Sequence, residues 1–128
     1  MARIDVQIFV ESRYRVLRKR INAVVSSVLQ EQAIISSVEV SIAIVGDRKM
    51  RTLNKKYRNL DQTTNVLSFP LSEGKSTVLP SNVLHLGDIV LSYPQVVREA
   101  AEEEVLVDDK IDELIKHGML HLLGLHHE

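Results

Sequence analysis

Apolar and polar residues recur with a period that changes several times along the chain. Over residues 4–8 they alternate, which is typical of a half-buried strand. Over about residues 14–29 the apolar positions follow helical spacing, and Ser12 is placed to cap that helix. A second strand is expected at residues 42–45, inside the run 38–45. The first part of the chain therefore predicts a strand, a helix and a second strand.

The segment after this second strand predicts an amphipathic helix over residues 48–60, with Asp47 as its N-cap. The apolar side of the helix includes Met50 and Tyr57, which we expect in the core. Arg58 lies at the boundary between the two sides. The polar side carries three basic residues, Arg48, Arg51 and Lys55.

The second half of the chain predicts two short strands followed by two helices. The strands are expected at residues 66–69 and 86–92, and the first helix at about 93–105. Asp108 or Asp109 is expected to cap the last helix. The order β-α-β-α-β-β-α-α predicts the α+β class, with a small mixed sheet of about four strands packed with helices.

Length and composition indicate one compact unit. With 128 residues and no cysteine, the chain is long enough for one core without disulfides, and we expect a single domain over residues 1–128. The N-terminal residues lack the apolar core of a signal peptide. No apolar run reaches the roughly 18 residues that a membrane span requires. We therefore expect a cytoplasmic protein with no membrane partner.

Charge is distributed unevenly, although the net charge is only -1. Residues 1–64 contain 12 Lys or Arg and 6 Asp or Glu, whereas residues 65–128 contain 4 and 11. A molecule polarised in this way can present a basic face to phosphates and still stay soluble.

The C-terminal segment carries the most specific chemical pattern. His117, His121 and His127 stand at i, i+4 and i+10, and Gly124 can end a helix in a left-handed turn. Histidines four residues apart share one helix face and can bind one ion. Three imidazoles leave one corner of a tetrahedral zinc site open, which is typical of catalytic zinc. The sequence therefore predicts one zinc ion held at the C-terminal helix by three histidines and a water.

Zinc proteases use the same ligand spacing, in the pattern H-E-x-x-H-x-x-G-x-x-H. In those enzymes the residue after the first histidine is the glutamate that takes a proton from zinc-bound water. Gly118 stands at that position here. A peptidase is therefore a disfavoured alternative.

Three segments together resemble one known family. They are His117-Gly-Met-Leu-His-Leu-Leu-Gly124, the run Asn54-Lys-Lys-Tyr-Arg-Asn-Leu-Asp-Gln-Thr-Thr-Asn-Val-Leu-Ser-Phe-Pro70, and Leu86-Gly-Asp-Ile-Val90. In order and spacing they resemble the YbeY family of bacterial single-strand-specific endoribonucleases, which act in ribosomal RNA maturation and ribosome quality control. The resemblance implies a metal-dependent hydrolase that acts on single-stranded ribosomal RNA, with ribosomal proteins as candidate partners.

The resemblance also implies residue roles. The zinc ligands it implies are the same three histidines, and Arg58 would be the catalytic basic residue that points toward the RNA phosphate. Residues 64–70 would form an edge of the cleft. An arginine is suited to this role because it can stabilise the charge that develops at phosphorus. The family commonly has an aspartate just before the last histidine, where this sequence has His126. His126 is therefore an alternative third ligand, and the offset from Gly124 favours His127.

Some residues keep two interpretations. Arg51 and Lys55 are candidate RNA contacts, although a solvated helix face explains them as well. His85 is expected to be structural. For the whole chain, the alternative to a zinc-dependent endoribonuclease is a non-catalytic, zinc-stabilised factor that binds ribosomal RNA or the ribosome.

Overall fold

The computed structural model describes residues 3–71 and 83–125, and this part of the chain contains four strands and four helices. In chain order they are β1 (Ile4–Val10), α1 (Arg18–Glu31), β2 (Ser37–Val45), α2 (Asp47–Arg58), β3 (Val66–Pro70), β4 (Val83–Ser92), α3 (Tyr93–Glu103) and α4 (Val107–Leu122). The predicted element order and α+β class are confirmed. None of these helices combines the length and apolar character that crossing a bilayer requires.

The strands form one mixed sheet in the order β1-β2-β4-β3. β1, β2 and β4 are parallel neighbours, whereas β3 runs antiparallel to β4. α1 connects β1 to β2, and α2 and β3 lie in the connection from β2 to β4. β1 and β3 are therefore the two edges of the described sheet.

The main hydrophobic core lies on one face of this sheet. Alternate residues of β2, such as Val40 and Ile42, point into it because successive side chains of a strand face opposite ways. Ile21 of α1 and Ile115 of α4 pack on this face. The other face carries a smaller buried cluster beneath α2, formed by Val45, Met50, Leu67 and Val90. α1 and α4 therefore lie on one side of the sheet and α2 on the other.

The predicted start of α1 is wrong. The helix begins at Arg18 with Leu17 as its N-cap, rather than after Ser12. The segment before it leaves the helical path because Tyr14 stacks on Tyr93 of α3, with ring centroids 4.8 Å apart. The helical spacing of apolar residues therefore included residues that pack on the core but lie before the helix, and this made the predicted start too early.

The predicted aspartate caps are also wrong by one or more residues. α2 begins at Asp47 itself, with Gly46 as its N-cap. In α4 the N-cap is Leu106, and Asp108 and Asp109 lie in the first turn. Acidic residues are favourable there because the helix dipole is positive at its N-terminus.

The apolar side of α2 is only partly covered. Met50 is in the core as expected, with 0% of its surface exposed, but Tyr57 is 56% exposed, so its predicted burial is wrong. Tyr57 lies near the end of the helix and packs against the ring of Phe69, with centroids 4.9 Å apart. The rest of the Tyr57 ring is exposed because α2 covers only part of this face of the sheet.

Candidate metal centre

α4 packs a buried stripe on the sheet and carries two histidines along its flank. The buried residues of the stripe include Ile111, Leu114, Ile115, Gly118 and Leu122. The helix ends as predicted, because Gly124 has a φ of 79° and donates its N–H to the His121 carbonyl at 2.9 Å. Leu125 donates to the Leu120 carbonyl at 2.8 Å, which completes the turn.

His117 and His121 bring their imidazoles together on this flank. Their Nε2 atoms are 3.1 Å apart, and their ring centroids are 4.6 Å apart. Two nitrogens bound to one tetrahedral zinc at about 2.0–2.1 Å would stand about 3.3 Å apart. The observed spacing therefore fits two ligands of a shared ion. His117 is exposed and His121 is half-buried, so the pair is accessible from solvent.

The predicted third ligand, His127, lies outside the described residues, as does His126. Within residues 3–71 and 83–125, no three His, Asp or Glu side chains converge as metal ligands. The other described histidine, His85, is on β4, where its Nδ1 is 3.0 Å from Oε1 of Glu39. That pairing accounts for His85 without a metal.

Gly118 brings α4 unusually close to β4. A Cβ atom at this position would lie 3.0–3.2 Å from three side-chain carbons of Ile89, which is 0% exposed. The residue after His117 therefore faces the sheet and not the flank that carries the imidazoles. A glutamate at this position would enter the core, so packing explains why the protease glutamate is missing.

Arg58 and the histidine pair lie on elements that flank the edge strand β3. α4 packs against β3, whereas Arg58 is the last residue of α2, on the other side of the sheet. Val66 of β3 faces the main core and Leu67 faces the cluster beneath α2. β3, which forms most of the predicted cleft edge, therefore has α4 on one side and the cluster beneath α2 on the other.

Residues 59–65, which connect α2 to β3, are held by side-chain hydrogen bonds that the sequence did not predict. Asn54 is 1% exposed and donates from Nδ2 to the Gln62 carbonyl at 2.9 Å. Asn65 donates from Nδ2 to Oε1 of Glu99 at 2.8 Å. An asparagine on the apolar side of α2 was the available signal, because a buried amide needs partners. The bonds fix the path of the chain from α2 to β3.

Asp47 joins this connection to the rest of the fold. Its carboxylate accepts hydrogen bonds from Thr63 at 3.0 Å, Ser92 at 2.7 Å and Arg98 at 2.8 Å. Burial raises the pKa of Asp47, but the three hydrogen bonds outweigh burial and hold the pKa below its usual value. The carboxylate is therefore ionised at neutral pH and links α2, β4 and α3.

The family profile described as endoribonuclease YbeY matches residues 6–128. The chain belongs to the YbeY family. The matched residues include all three motifs and therefore also His117 and His121.

Several curated YbeY relatives show the extent of the similarity. Endoribonuclease YbeY from Anaeromyxobacter sp. (strain Fw109-5) is 44% identical over 93 residues, which are 73% of this chain and 46% of the relative. The protein of the same name from Anaeromyxobacter dehalogenans (strain 2CP-C) is 41% identical over 114 residues, or 89% and 54%. That from Thermoanaerobacter sp. (strain X514) is 36% identical over 120 residues, or 88% and 76%. The chain thus spans about half the length of the two Anaeromyxobacter relatives.

A solved structure supports the fold. The solution structure of TM1509 from Thermotoga maritima is similar to this chain with a TM-score of 0.65 and 26% sequence identity. The similarity covers 96% of this chain and 75% of that chain.

The basic residues predicted on α2 differ in their availability to an anion. Arg51 is paired with Asp61, with Nε 2.8 Å from Oδ1, and this hydrogen bond raises the pKa of Arg51. Lys55 and Arg58 are exposed. Within the described residues no carboxylate pairs with Arg58. Arg58 and Lys55 are therefore accessible cations in this YbeY family member, whereas Arg51 already has a partner.

Proposed function

We propose that this chain is a zinc-dependent endoribonuclease specific for single-stranded RNA, which acts in the cytoplasm in ribosomal RNA maturation and ribosome quality control. The observation that carries the proposal is the 3.1 Å spacing of the His117 and His121 Nε2 atoms at the end of α4. The relatives named endoribonuclease YbeY support the choice of RNA as substrate. Ribosomal proteins are the further partners that we propose.

The proposed zinc ligands are His117, His121 and His127, with a water in the fourth position. The first two imidazoles meet on an accessible flank of α4, and Gly124 turns the chain immediately after them. When bound, zinc supplies a Lewis acid for a phosphoryl oxygen and can lower the pKa of a bound water to about 7.

The role proposed for Arg58 is to bind the scissile phosphate and stabilise the charge that develops there. Its guanidinium is exposed at the end of α2, where the chain turns toward β3. The hydrogen bond from Asn54 to Gln62 restrains that connection, so the position of Arg58 relative to β3 is defined. Because α4 and α2 lie on opposite sides of the sheet, this role requires the Arg58 side chain to extend past β3 to the phosphate at the imidazoles.

Metal binding tests the first part of the proposal. We expect elemental analysis of untagged protein to find one zinc per chain in the parent, and a strong loss in His121→Ala. Zinc at 100 times its dissociation constant should raise the free energy of unfolding of the parent by about 2.7 kcal/mol. His85→Gln is the matched control, because His85 pairs with Glu39 on β4, and it should keep both the zinc and the stabilisation. Equal zinc content in the parent and His121→Ala would refute the ligand assignment.

Cleavage of a labelled single-stranded RNA, compared with the same sequence in a duplex, tests the activity. Arg58→Ala should keep its zinc and lower the rate by roughly 100-fold or more, the usual effect of removing a group that stabilises transition-state charge. Arg15→Ala is the control, since it removes an equal charge from an exposed position before α1. Full activity in Arg58→Ala would contradict the phosphate role.

The same assay separates an enzyme from a non-catalytic factor. Zinc-loaded protein that binds single-stranded RNA without cleaving it would favour the zinc-stabilised ribosomal RNA binding factor. Full cleavage by chelator-treated protein would show that the reaction does not depend on the metal.

A further inference from the structure

A groove of about 500 Å³ lies on the face of the sheet opposite α4. β1 and α2 form its sides, because α2 covers only part of this face. Phe9 on β1 is 63% exposed and Tyr57 on α2 is 56% exposed, and both line the groove. Large aromatic side chains exposed on the two sides of one groove are typical of a binding surface.

The strand register arranges the floor of the groove in two rows. One row is apolar and crosses the sheet through Phe9, Ala43 and Val90. The neighbouring row is polar and crosses it through Gln7, Ser41 and Asp88. A flat ligand with apolar faces and hydrogen-bonding edges is complementary to this arrangement, and an unpaired nucleobase has that chemistry.

An aromatic pair and a cation close the α2 side of the groove. Tyr57 packs edge to face with Phe69, with ring centroids 4.9 Å apart. The Nζ atom of Lys56 lies 5.2 Å from the centroid of the Tyr57 ring. A base stacked near this ring would therefore have an ammonium group beside it, and its phosphate could bind that group.

The charges around the groove favour a polyanion with uncharged rings. α2 contains six Lys or Arg and one acidic residue, and Lys55, Lys56 and Arg58 are exposed near its end. Asp88 is an exposed carboxylate inside the groove. Because a carboxylate repels phosphate and accepts hydrogen bonds from base N–H groups, it favours bases in the groove and phosphates along α2.

We propose that this groove binds unpaired bases of single-stranded RNA, which stack on Phe9 and Tyr57 while the phosphates follow α2. The choice of RNA as the ligand rests on the proposed function. The groove would hold nucleotides next to the scissile bond, on the opposite side of β3 from the imidazoles. A duplex cannot offer its bases in this way, because they are already paired and stacked. A second copy of the chain is a poorer occupant, since a two-fold contact here would bring two basic α2 helices together.

The test measures binding by the zinc-loaded full chain to a fluorescein-labelled, single-stranded 2′-O-methyl RNA, which a gel shows to remain intact. The variants are Phe9→Ala and Tyr57→Ala, with Phe9→Trp to restore a stacking surface. Ile35→Ala is the control, because Ile35 is 87% exposed and lies outside the groove. An abasic oligomer of the same length and charge reports binding by phosphates alone.

By fluorescence anisotropy, each alanine variant of an aromatic residue should bind roughly five-fold or more weakly, the effect of losing one base stack. Phe9→Trp and Ile35→Ala should bind like the parent, and the abasic oligomer should bind weakly and equally to all variants. Unchanged affinity in both aromatic-to-alanine variants would overturn the proposal. So would a dimer of the parent, seen by sedimentation, that Phe9→Ala converts to monomer without affecting RNA binding.

The two proposals fail in different ways. If the groove is not a base site, the parent still cleaves RNA and His121→Ala does not. If the chain is not a nuclease, neither protein cleaves RNA, while the effect of Phe9→Ala on binding remains.

Discussion

Gly118→Ala should destabilise the protein, although alanine is the better helix former. In an unconstrained helix the change would add about 1 kcal/mol of stability. In α4 the new methyl carbon would lie 3.0 Å from Cδ1 and 3.1 Å from Cγ2 of Ile89. Ile89 is fully buried on β4, one of the two inner strands, so it has no free space to move into, and overpacking of this kind costs about 1–3 kcal/mol. We expect a net loss of about 1 kcal/mol.

A double-mutant cycle with Ile89→Val isolates the contact. Ile89→Val removes the Cδ1 atom nearest to the new methyl group and should by itself cost about 1 kcal/mol. In the valine background Gly118→Ala should be less costly, which gives a coupling energy of about 1 kcal/mol. Urea unfolding of the four proteins in the presence of a chelator measures these differences without a contribution from zinc.

Two results would refute this reasoning. One is stabilisation of the parent by Gly118→Ala, as in an exposed helix. The other is strict additivity of Gly118→Ala and Ile89→Val. Either result would mean that α4 and β4 are not in the close contact described, and the packing reason for glycine after His117 would be lost.

Two further substitutions test the elements that support the site. Asp47→Asn should lower the stability at neutral pH and weaken its decline in acid. Burial raises the pKa of Asp47, but its hydrogen bonds lower the pKa by more than burial raises it. The stability that Asp47 contributes is therefore complete above the unfolded pKa of about 3.9 and is lost as pH falls through the lower folded pKa. If urea unfolding showed the same loss of stability in acid for the parent and Asp47→Asn, this reasoning would be contradicted. Gly87→Ala should cost about 3 kcal/mol or more, because Gly87 has a φ of 126° and a Cβ would lie 2.1 Å from the Phe69 carbonyl oxygen. A thermal unfolding midpoint of Gly87→Ala close to that of the parent would contradict this, because it would show that the β3–β4 pairing tolerates a side chain at position 87.

The parts of the fold that follow from local periodicity were predictable from the sequence. The apolar pattern predicted a strand at residues 42–45, which is part of the longer β2, and it predicted the last helix, α4, which packs Ile115 in the core. The i, i+4 spacing required the two imidazoles to meet, and they do so at 3.1 Å. Gly124 ended the helix for the local reason that glycine adopts a positive φ without strain.

The features that the sequence did not predict depend on distant partners. Asp47 was expected to cap a helix, but its carboxylate bonds Ser92, which is 45 positions away. The helical pattern identified the apolar side of α2, but the exposure of Tyr57 depends on how far the sheet extends beneath that helix. The position of Arg58 relative to the histidine pair likewise depends on the order of strands, which no local pattern determines.

The histidine spacing is compatible with more than one reaction. Gly118 helps to decide which of them this chain can catalyse. Because its Cα–H faces Ile89, a carboxylate at this position would be buried in the main core, away from the imidazole flank. The proton transfer that a protease glutamate performs therefore cannot come from position 118. Attack on a phosphodiester depends more on stabilising charge at phosphorus, which a cation such as Arg58 can do.

In the proposed function, the edge strand β3 would give this chemistry a route for its substrate. Phe69 of β3 lines the groove on the α2 side, while α4 with its histidines packs against the same strand from the other side. A strand of RNA that follows the proposed path would place its bases in the groove and cross β3, so that its scissile phosphate meets both Arg58 and the imidazoles. Only an unpaired strand can bend around a sheet edge in this way, because a duplex is too wide and too stiff. Specificity for single strands would then be a consequence of where β3 lies in the sheet, and it should weaken when Phe9 and Tyr57 can no longer hold the bases.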